Sequence, residues 1–475
     1  MLAQIAQLLE RRLSGRELVT GEGDEVGEAG RPEAVTDVHH GLGDHRVDLA
    51  VLFAHRDILA KNLAARLHTH TTQVGGYYAL CLIADRPTAA KSLRSGRTPP
   101  CPILERHPHV SHLQEVVDCV TAAGLVLQKT IPRGRDHLLL ELRDTEGALV
   151  AGQWYLNRDQ SAMVAERVRE TCGADTVAEL DGTGVVLQRR GADRRLPTLH
   201  EIANSPGAEL VSHRAERCGM VRAQNQTYTK VVRRRQVSKV ARGLARSEVQ
   251  SFAVPAVIEV DTARGTVTTS ALPGRTLYDR LGDAALTDAE LAGDLRRIGA
   301  ALHAFHAESE REPVVVHDAR AELATTERWL STASEYGVIP VGGWHASWAR
   351  AATLLAWPPA PATAVHRNLH DKQLVLSDGA QVGLLDLDLS TTGEPAVDLA
   401  NLLVHLEVRA LQGHCRESRS EVCRLALLDG YAADPLVLQR LPGYLLCTRL
   451  RLAGVYAFRN SPPELLTALL EGGQG

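Results

Sequence analysis

The stretch Val365-His-Arg-Asn-Leu-His-Asp-Lys-Gln-Leu-Val-Leu376, continued by Val382-Gly-Leu-Leu-Asp-Leu-Asp-Leu389, decides how this chain is read. A short apolar run enters a polar loop, a second apolar run follows, and the next ends in Asp386 and Asp388. That pattern predicts two short strands forming a hairpin that returns both carboxylates to the polar loop. His366 and His370 stand at i and i+4, as on a zinc-binding helix, but Arg-Asn-Leu lies between them. The general-base Glu of H-E-x-x-H is missing and the flanking pattern is that of strands, so zinc is not expected.

Downstream, the spacing predicts helices over 396–412, 420–432 and 440–458, and upstream over 288–308, 318–335 and 343–357. In the first of the upstream group Leu291, Leu295, Ile298, Leu302 and Phe305 recur every three or four residues, one apolar face of a helix. Trp344, Trp348 and Trp357 are assigned to the core of this helical region. Before Leu272-Pro-Gly274 the character is β-rich. Strands are expected over 209–223, 227–232, 256–260 and 266–269, with a helix over 237–246. A similar order occurs earlier: strands at 137–142, 148–156 and 185–187 around a helix at 161–170. The reading is a degenerate internal repeat of a β-β-α-β-β unit.

Four regions result: 1–118, unassigned and partly mobile; 119–200, a degenerate β-rich unit; 201–272, a second such unit; and 273–475, helical. A length of 475 residues suits several domains. Met1 to Leu13 has the pattern of an amphipathic helix, and 14–48 reads as a mobile acidic segment. The early histidines, His39-His40 and His68-Thr-His70 among them, lack the spacing of a metal site.

Lys+Arg total 53 against Asp+Glu 57, a net charge of −4, so no bulk cationic field directs the chain to nucleic acid or an anionic membrane. Aromatics at 4% are too few for a base-stacking surface. The seven cations from Lys230 to Arg246 read as a solvated helix face. No run approaches the roughly 18 apolar residues of a membrane helix. The eight cysteines contain no C-x-x-C pair and read as reduced thiols, which with the lack of a signal-peptide core makes the cytoplasm the expected compartment. Six lysines stand among 47 arginines: Lys61, Lys91, Lys129, Lys230, Lys239 and Lys372. Only the second β-rich unit has one on a central strand, Lys230.

Beside the kinase catalytic loop H-R-D-L-x-x-x-N followed by a metal-binding Asp, the loop reads His366-Arg367-Asn368-Leu369, with Gln373 and then Asp386. It resembles the aminoglycoside phosphotransferase and choline kinase-like family. The tail Gly393-Glu-Pro-Ala-Val-Asp398-Leu-Ala and the helix with Ala301-Leu302-His303-Ala304-Phe305-His306 are similar to family segments. The resemblance covers roughly residues 205–460 and is specific over 365–400. It implies an α+β, protein kinase-like fold of two lobes, with the first β-rich unit a degenerate copy of the N-lobe.

The resemblance further implies an ATP-dependent phosphotransferase acting on a hydroxyl of a small polar molecule, of aminoglycoside, amino alcohol or sugar type. Its cofactors would be ATP and Mg2+, its partners the nucleotide and the hydroxyl acceptor, with no role for nucleic acid or membrane. Asn368, His366 and His370 fall at the catalytic positions; Gln373, Asp386 and Asp388 at the metal positions. Lys230 would contact the α/β-phosphates with Glu248 as its ion-pair partner, and Ser270 and Leu272, where the lobes join, complete the nucleotide contacts. The chain departs from the family at Asn368, where an aspartate is usual. An amide cannot take up the hydroxyl proton near neutral pH. A pseudokinase that binds nucleotide or a partner without turnover is the second reading.

Overall fold

The computed structural model describes residues 108–180, 182–245, 250–308, 316–377 and 381–472. The helix expected over Met1–Leu13, the acidic 14–48 segment, the early histidines and Glu248 lie outside these residues.

Helix α1 (Pro108–Ala122) leads into β1 (Val126–Pro132), β2 (His137–Arg143) and β3 (Leu149–Tyr155). Helix α2 (Arg158–Cys172) follows, then β4 (Val177–Leu180) and β5 (Val185–Arg189). The side chain of Asn157 accepts from Asp159 N and caps the start of α2, which ends at Gly173 with φ 103°. The short α3 (Pro197–Ala203) connects to β6 (Glu209–Arg214), β7 (Cys218–Arg222) and β8 (Thr227–Val232). Then come α4 (Arg234–Ala245), β9 (Val257–Asp261) and β10 (Thr266–Ser270).

The sheet orders are β1-β2-β3-β5-β4 and β6-β7-β8-β10-β9. Both are three-stranded meanders followed by a helix and a hairpin whose second strand docks on the third. The expected repeat is therefore present, with one strand more than the β-β-α-β-β unit; in the first copy both β1 and β4 go unread. The missed β1 interrupts its aliphatic Val126, Leu127 and Ile131 with Gln128, Lys129 and Thr130 and ends in Pro132, a composition that suits the edge position it occupies. The expected run 209–223 is broken at Ala215–Arg217, where Glu216 takes φ 59°.

Every residue of β3 is buried, because the first sheet is covered on both faces. Ala165 and Val168 of α2 pack on Val177 and Val186. The opposite face contributes Leu138, Leu140, Leu142, Val150 and Trp154 to the same apolar core as the C-terminal helices. Tyr336 Oη donates to Gly134 O (2.7 Å) and Thr130 N to Phe458 O (2.7 Å), fixing the first sheet onto that half.

Beyond Leu272, β11 (Arg275–Thr276) and α5 (Leu277–Leu281) precede α6 (Asp288–Ala307), which opens on a reciprocal Thr287–Glu290 capping box. There follow β12 (Val316–His317), α7 (Ala319–Glu335), α8 (His345–Leu354) and β13 (Thr363–Val365). Next are β14 (Leu374–Leu376), β15 (Gly383–Leu384) and β16 (Thr391–Gly393), then α9 (Ala396–Leu411), α10 (Glu417–Tyr431), α11 (Pro435–Tyr456) and α12 (Pro463–Glu471). The apolar face expected on α6 is buried as read. A Cβ on Gly430 would sit 2.3 Å from Arg296 O, so α6 and α10 meet backbone to backbone. Trp344 is buried and Trp348 packs on the core, but Trp357 is 44% exposed, which corrects its assignment to the core. It lies past the end of α8, where the chain leaves the helix pair.

The two small sheets, β11-β14-β15 and β12-β16-β13, frame the decisive stretch. The six cysteines among the described residues are unpaired. No helix among them is long and apolar enough to cross a membrane.

Candidate active site

Helix α9 organises the polar loop from below. Its sequence is apolar except at Asp398, Asn401, His405, Glu407 and Arg409; the first three and Arg409, spaced by three, four and four, share one face. Asp398, fully buried, accepts from His366 N at 2.6 Å through Oδ2 and from Arg367 N at 2.7 Å through Oδ1, and His306 Nε2 lies 3.3 Å away. Asn401 donates to Arg367 O at 2.8 Å. Arg409 forks onto buried Asp371 at 2.7 and 3.0 Å. Gripped on both sides, Arg367 adopts φ 69°, a left-handed conformation uncommon for a residue with a side chain.

Sequence analysis places Asp398 only within a family segment and assigns no role to Asn401, Asp371 or Arg409. The signal was present. Buried polar residues at helical spacing in an otherwise apolar helix need partners, and the loop supplies them.

His366 Nε2 lies 2.8 Å from Leu385 O, and Leu385 N donates to Gln373 O (2.9 Å), so loop and hairpin are tied together. His366 is buried and acts as this tie. The hairpin β14–β15 delivers Asp386 beside Gln373, whose Nε2 is 3.5 Å from Asp386 Oδ2. Asp386 takes φ 58° as it opens the 3-10 turn Leu387–Leu389, and this conformation turns Asp388 toward the second sheet. Lys230 of β8 meets both: it is ion-paired with Asp388 and stands 3.6 Å from Asp386. Burial alone would lower the ammonium; Asp388 and Asp386 outweigh it and hold Lys230 above its ordinary range.

The structure thus brings together Lys230 of β8 and Gln373, Asp386 and Asp388 of the 365–389 stretch. Asn368 is half-buried in the same loop, and its side chain makes no hydrogen bond among the described residues. His370 caps the 3-10 turn Asp371–Gln373 by accepting from Lys372 N (3.3 Å). Burial pushes His370 down to about 4, so it is neutral near pH 7. Ser270 ends β10 and accepts from Ala256 N at 3.0 Å. Leu272 packs on β15, where a Cβ on Gly383 would come within 2.8 Å of its Cδ1. Helix α4 contains no carboxylate, so among the described residues Lys230 has only the two aspartates as acidic partners. Arg234, Arg235, Lys239 and Arg242 on α4 are exposed, the solvated face expected.

The first sheet shows what stands where Lys230 would be. Lys230 pairs across to Val267, which packs beneath α4. Gln153 of β3 pairs across to Val186, which packs beneath α2. Gln153 is 1% exposed and satisfied by Gln188 (3.0 Å), Tyr155 Oη (2.8 Å) and His137 (3.2 Å). A neutral amide held by three side chains occupies the cation's place.

Residues 222–438 match the family model of the phosphotransferase enzyme family. The match spans a little under half of the 475-residue chain. It opens at the end of β7 and runs into the start of α11, taking in Lys230, the loop and the hairpin but leaving out the first sheet. The chain has the expected α+β arrangement, a β-rich half of two five-stranded sheets followed by a helical half. Among solved structures, the chain is similar to a choline/ethanolamine kinase family protein from Mesorhizobium loti, at 19% identity over 58% of this chain and 88% of that one, TM-score 0.40. It is similar to an aminoglycoside phosphotransferase from Streptomyces rimosus, at 20% identity over 54% of this chain and 97% of that one, TM-score 0.40. A glucosamine kinase is similar at 17% identity over 73% of this chain and 93% of that one, TM-score 0.40. No curated protein matches the chain.

Proposed function

We propose that the chain is an ATP-dependent phosphotransferase acting on a hydroxyl of a small polar molecule of aminoglycoside, amino alcohol or sugar type. The convergence of Lys230 with Gln373, Asp386 and Asp388 carries this reading. Phosphoryl transfer depends on neutralising the β- and γ-phosphates and on positioning, more than on covalent help from the protein.

The residues suit Mg2+. Gln373 Oε1 is a buried acceptor with no hydrogen-bond partner, beside the half-exposed carboxylate of Asp386. A hard cation takes such oxygens, with phosphate and water oxygens completing its shell. Among the described residues no three His, Cys, Asp or Glu side chains form a metal cage, which fits an ion held partly by its nucleotide. Gln373 and Asp386 would hold the ion, which when bound neutralises the developing phosphate charge; Asp388 would hold a second ion or keep Lys230 in place. Lys230 would contact the α/β-phosphates, with Ser270 and Leu272 at the junction of the lobes.

In the transfer the acceptor oxygen bonds to the γ-phosphorus as the bond to the ADP oxygen breaks, and the hydroxyl proton leaves to solvent. Asn368 can accept a hydrogen bond from that hydroxyl and orient it but cannot take the proton. His366 and His370 position the loop. Isothermal titration with Mg·ATP, repeated on Asp386→Ala, tests the reading: binding is expected in the wild type and loss of at least tenfold in the variant. Unchanged affinity in the variant, or no turnover across a broad panel of hydroxyl acceptors, would remove it. Asn368 itself favours the second reading, a nucleotide-binding protein without turnover.

A further inference from the structure

Lys372 lies in the loop beside Gln373, exposed, with its Nζ 4.2 Å from the centroid of the Tyr278 ring. Arg409 Cζ is 5.1 Å from the same ring, and Arg409 Nη1 donates to Tyr456 Oη at 3.3 Å. Arg459 Cζ stands 4.5 Å over the Tyr456 ring. The backbone of Arg459 forms a bridge with Lys129 of β1, whose ammonium is 2.6 Å from Glu141. A file of four cations therefore runs from the loop, across α5, α9 and the end of α11, to the first sheet.

Its carboxylates are too few. Asp371 is committed to Arg409 and Glu141 to Lys129. Lys372 and Arg459 have no carboxylate within ion-pair distance among the described residues, and each interacts with an aromatic face instead. Arg214 of β6 adds a fifth cation that repels both Lys129 and Arg459. Desolvation and these neighbours lower Arg459 from its ordinary range, although its side chain is open to solvent. His405 beneath, buried and with Nδ1 unpartnered, is held well below its ordinary range by burial and then by His370, Arg409, Arg451 and Arg459. It supplies no negative charge.

Such a field repels amines and attracts anions. Resting on the phosphotransferase reading above, we propose that the hydroxyl acceptor carries a phosphate monoester, seated on Lys372 and Arg459 where the first sheet meets the helical half. Two uncompensated cations match a dianion. The first sheet, stripped of a phosphate-contacting lysine at Gln153, keeps Lys129 at this seat. The acceptor is then a phosphorylated polyol or sugar, and amino alcohols and aminoglycosides are poor fits.

Titration of the full chain with inorganic phosphate, glucose 6-phosphate, glucose and glucosamine, read by calorimetry and thermal shift, tests this. Inorganic phosphate is expected to bind, glucose 6-phosphate to bind at least tenfold tighter than glucose, and glucosamine to give no shift. The Lys372→Gln/Arg459→Gln double variant should lose both anions, while Lys230→Gln keeps them. Glucose or glucosamine binding as tightly as glucose 6-phosphate would overturn the proposal. So would no phosphate binding, or phosphate binding that survives the double variant and disappears with Lys230→Gln. Mg·ATP titration of the same samples separates the two ideas. Near-wild-type Mg·ATP affinity in the double variant shows that it is folded; no Mg·ATP binding by the wild type removes the phosphotransferase reading, whatever the phosphate arm shows.

Discussion

Lys230 and Asp388 are 158 residues apart in the chain and in direct ion-pair contact. With Asp386 at 3.6 Å, the ammonium sits between two carboxylates. In this state the lysine is already neutralised, and the local field is negative. Nucleotide phosphates can enter only with cations that offset Asp386 and Asp388.

ATP in the presence of a chelator is therefore expected to bind at least tenfold more weakly than Mg·ATP. Asp386→Ala should move the two affinities in opposite directions, weakening Mg·ATP and strengthening metal-free ATP, because one substitution removes both a metal ligand and a repulsive charge. Calorimetry with and without Mg2+ measures both signs. Equal affinities for the two nucleotide forms would show that the carboxylates do not face the phosphates.

Asn368 is the position where a small change should have a large kinetic effect. The loop around it is held by Asp398, Asn401 and Arg409, none of which depends on the Asn368 side chain. Asn368→Asp should therefore fold normally and add a group able to accept the hydroxyl proton. A positioned base contributes about 10²–10⁴ in rate, so kcat is expected to rise by about a hundredfold with the KM for ATP nearly unchanged. A coupled ADP-release assay measures it. An unchanged rate would mean that more than the base is missing.

Much of this site was legible in the sequence because its parts are local. The 365–389 segment contains the loop, the hairpin and three of the four convergent residues within one stretch, and turn and strand patterns are short-range signals. Lys230 was picked out by its rarity on a central strand of an arginine-rich chain. The repeat was legible only in outline: β1 is a mixed polar edge strand, and β4 is four residues long, so neither has enough alternation to register. The cation file was not legible, since Lys129, Tyr278, Lys372, Arg409 and Arg459 meet only through tertiary packing. The stripe on α9 could have been found, because an apolar helix with polar residues at 398, 401, 405 and 409 signals a buried polar contact.

The two sheets predict different outcomes for equivalent substitutions. Gln153 satisfies Gln188, Tyr155 and His137 in a buried network, and Gln188 in turn donates to Ala192 O (2.9 Å). Gln153→Met would leave these partners unpaired, and an unsatisfied buried polar group costs about 1–3 kcal/mol. Chemical denaturation should show that loss, with Mg·ATP affinity unchanged. Lys230→Met should do the reverse, weakening Mg·ATP at least tenfold. A loss of nucleotide affinity in Gln153→Met would mean that the first sheet contributes to the nucleotide site.

Acid should weaken the fold through His370 and His405. Burial pushes His370 down to about 4 and His405 well below its ordinary 6.5, and their rings lie 5.1 Å apart. In the unfolded chain both take up protons near 6.5, so between that pH and about 4 the unfolded state binds more protons than the folded one. Stability then rises with pH across that window and levels off above it. Thermal melts at pH 7.5 and pH 5.0 should show the wild type losing several degrees more than a His370→Asn/His405→Gln variant, in which neither site can be charged. Carboxylates titrate in both proteins and cancel in the comparison. An equal drop in the two would mean that the histidines titrate alike in the folded and unfolded chain, and that the cations around Arg409 do not bear on them.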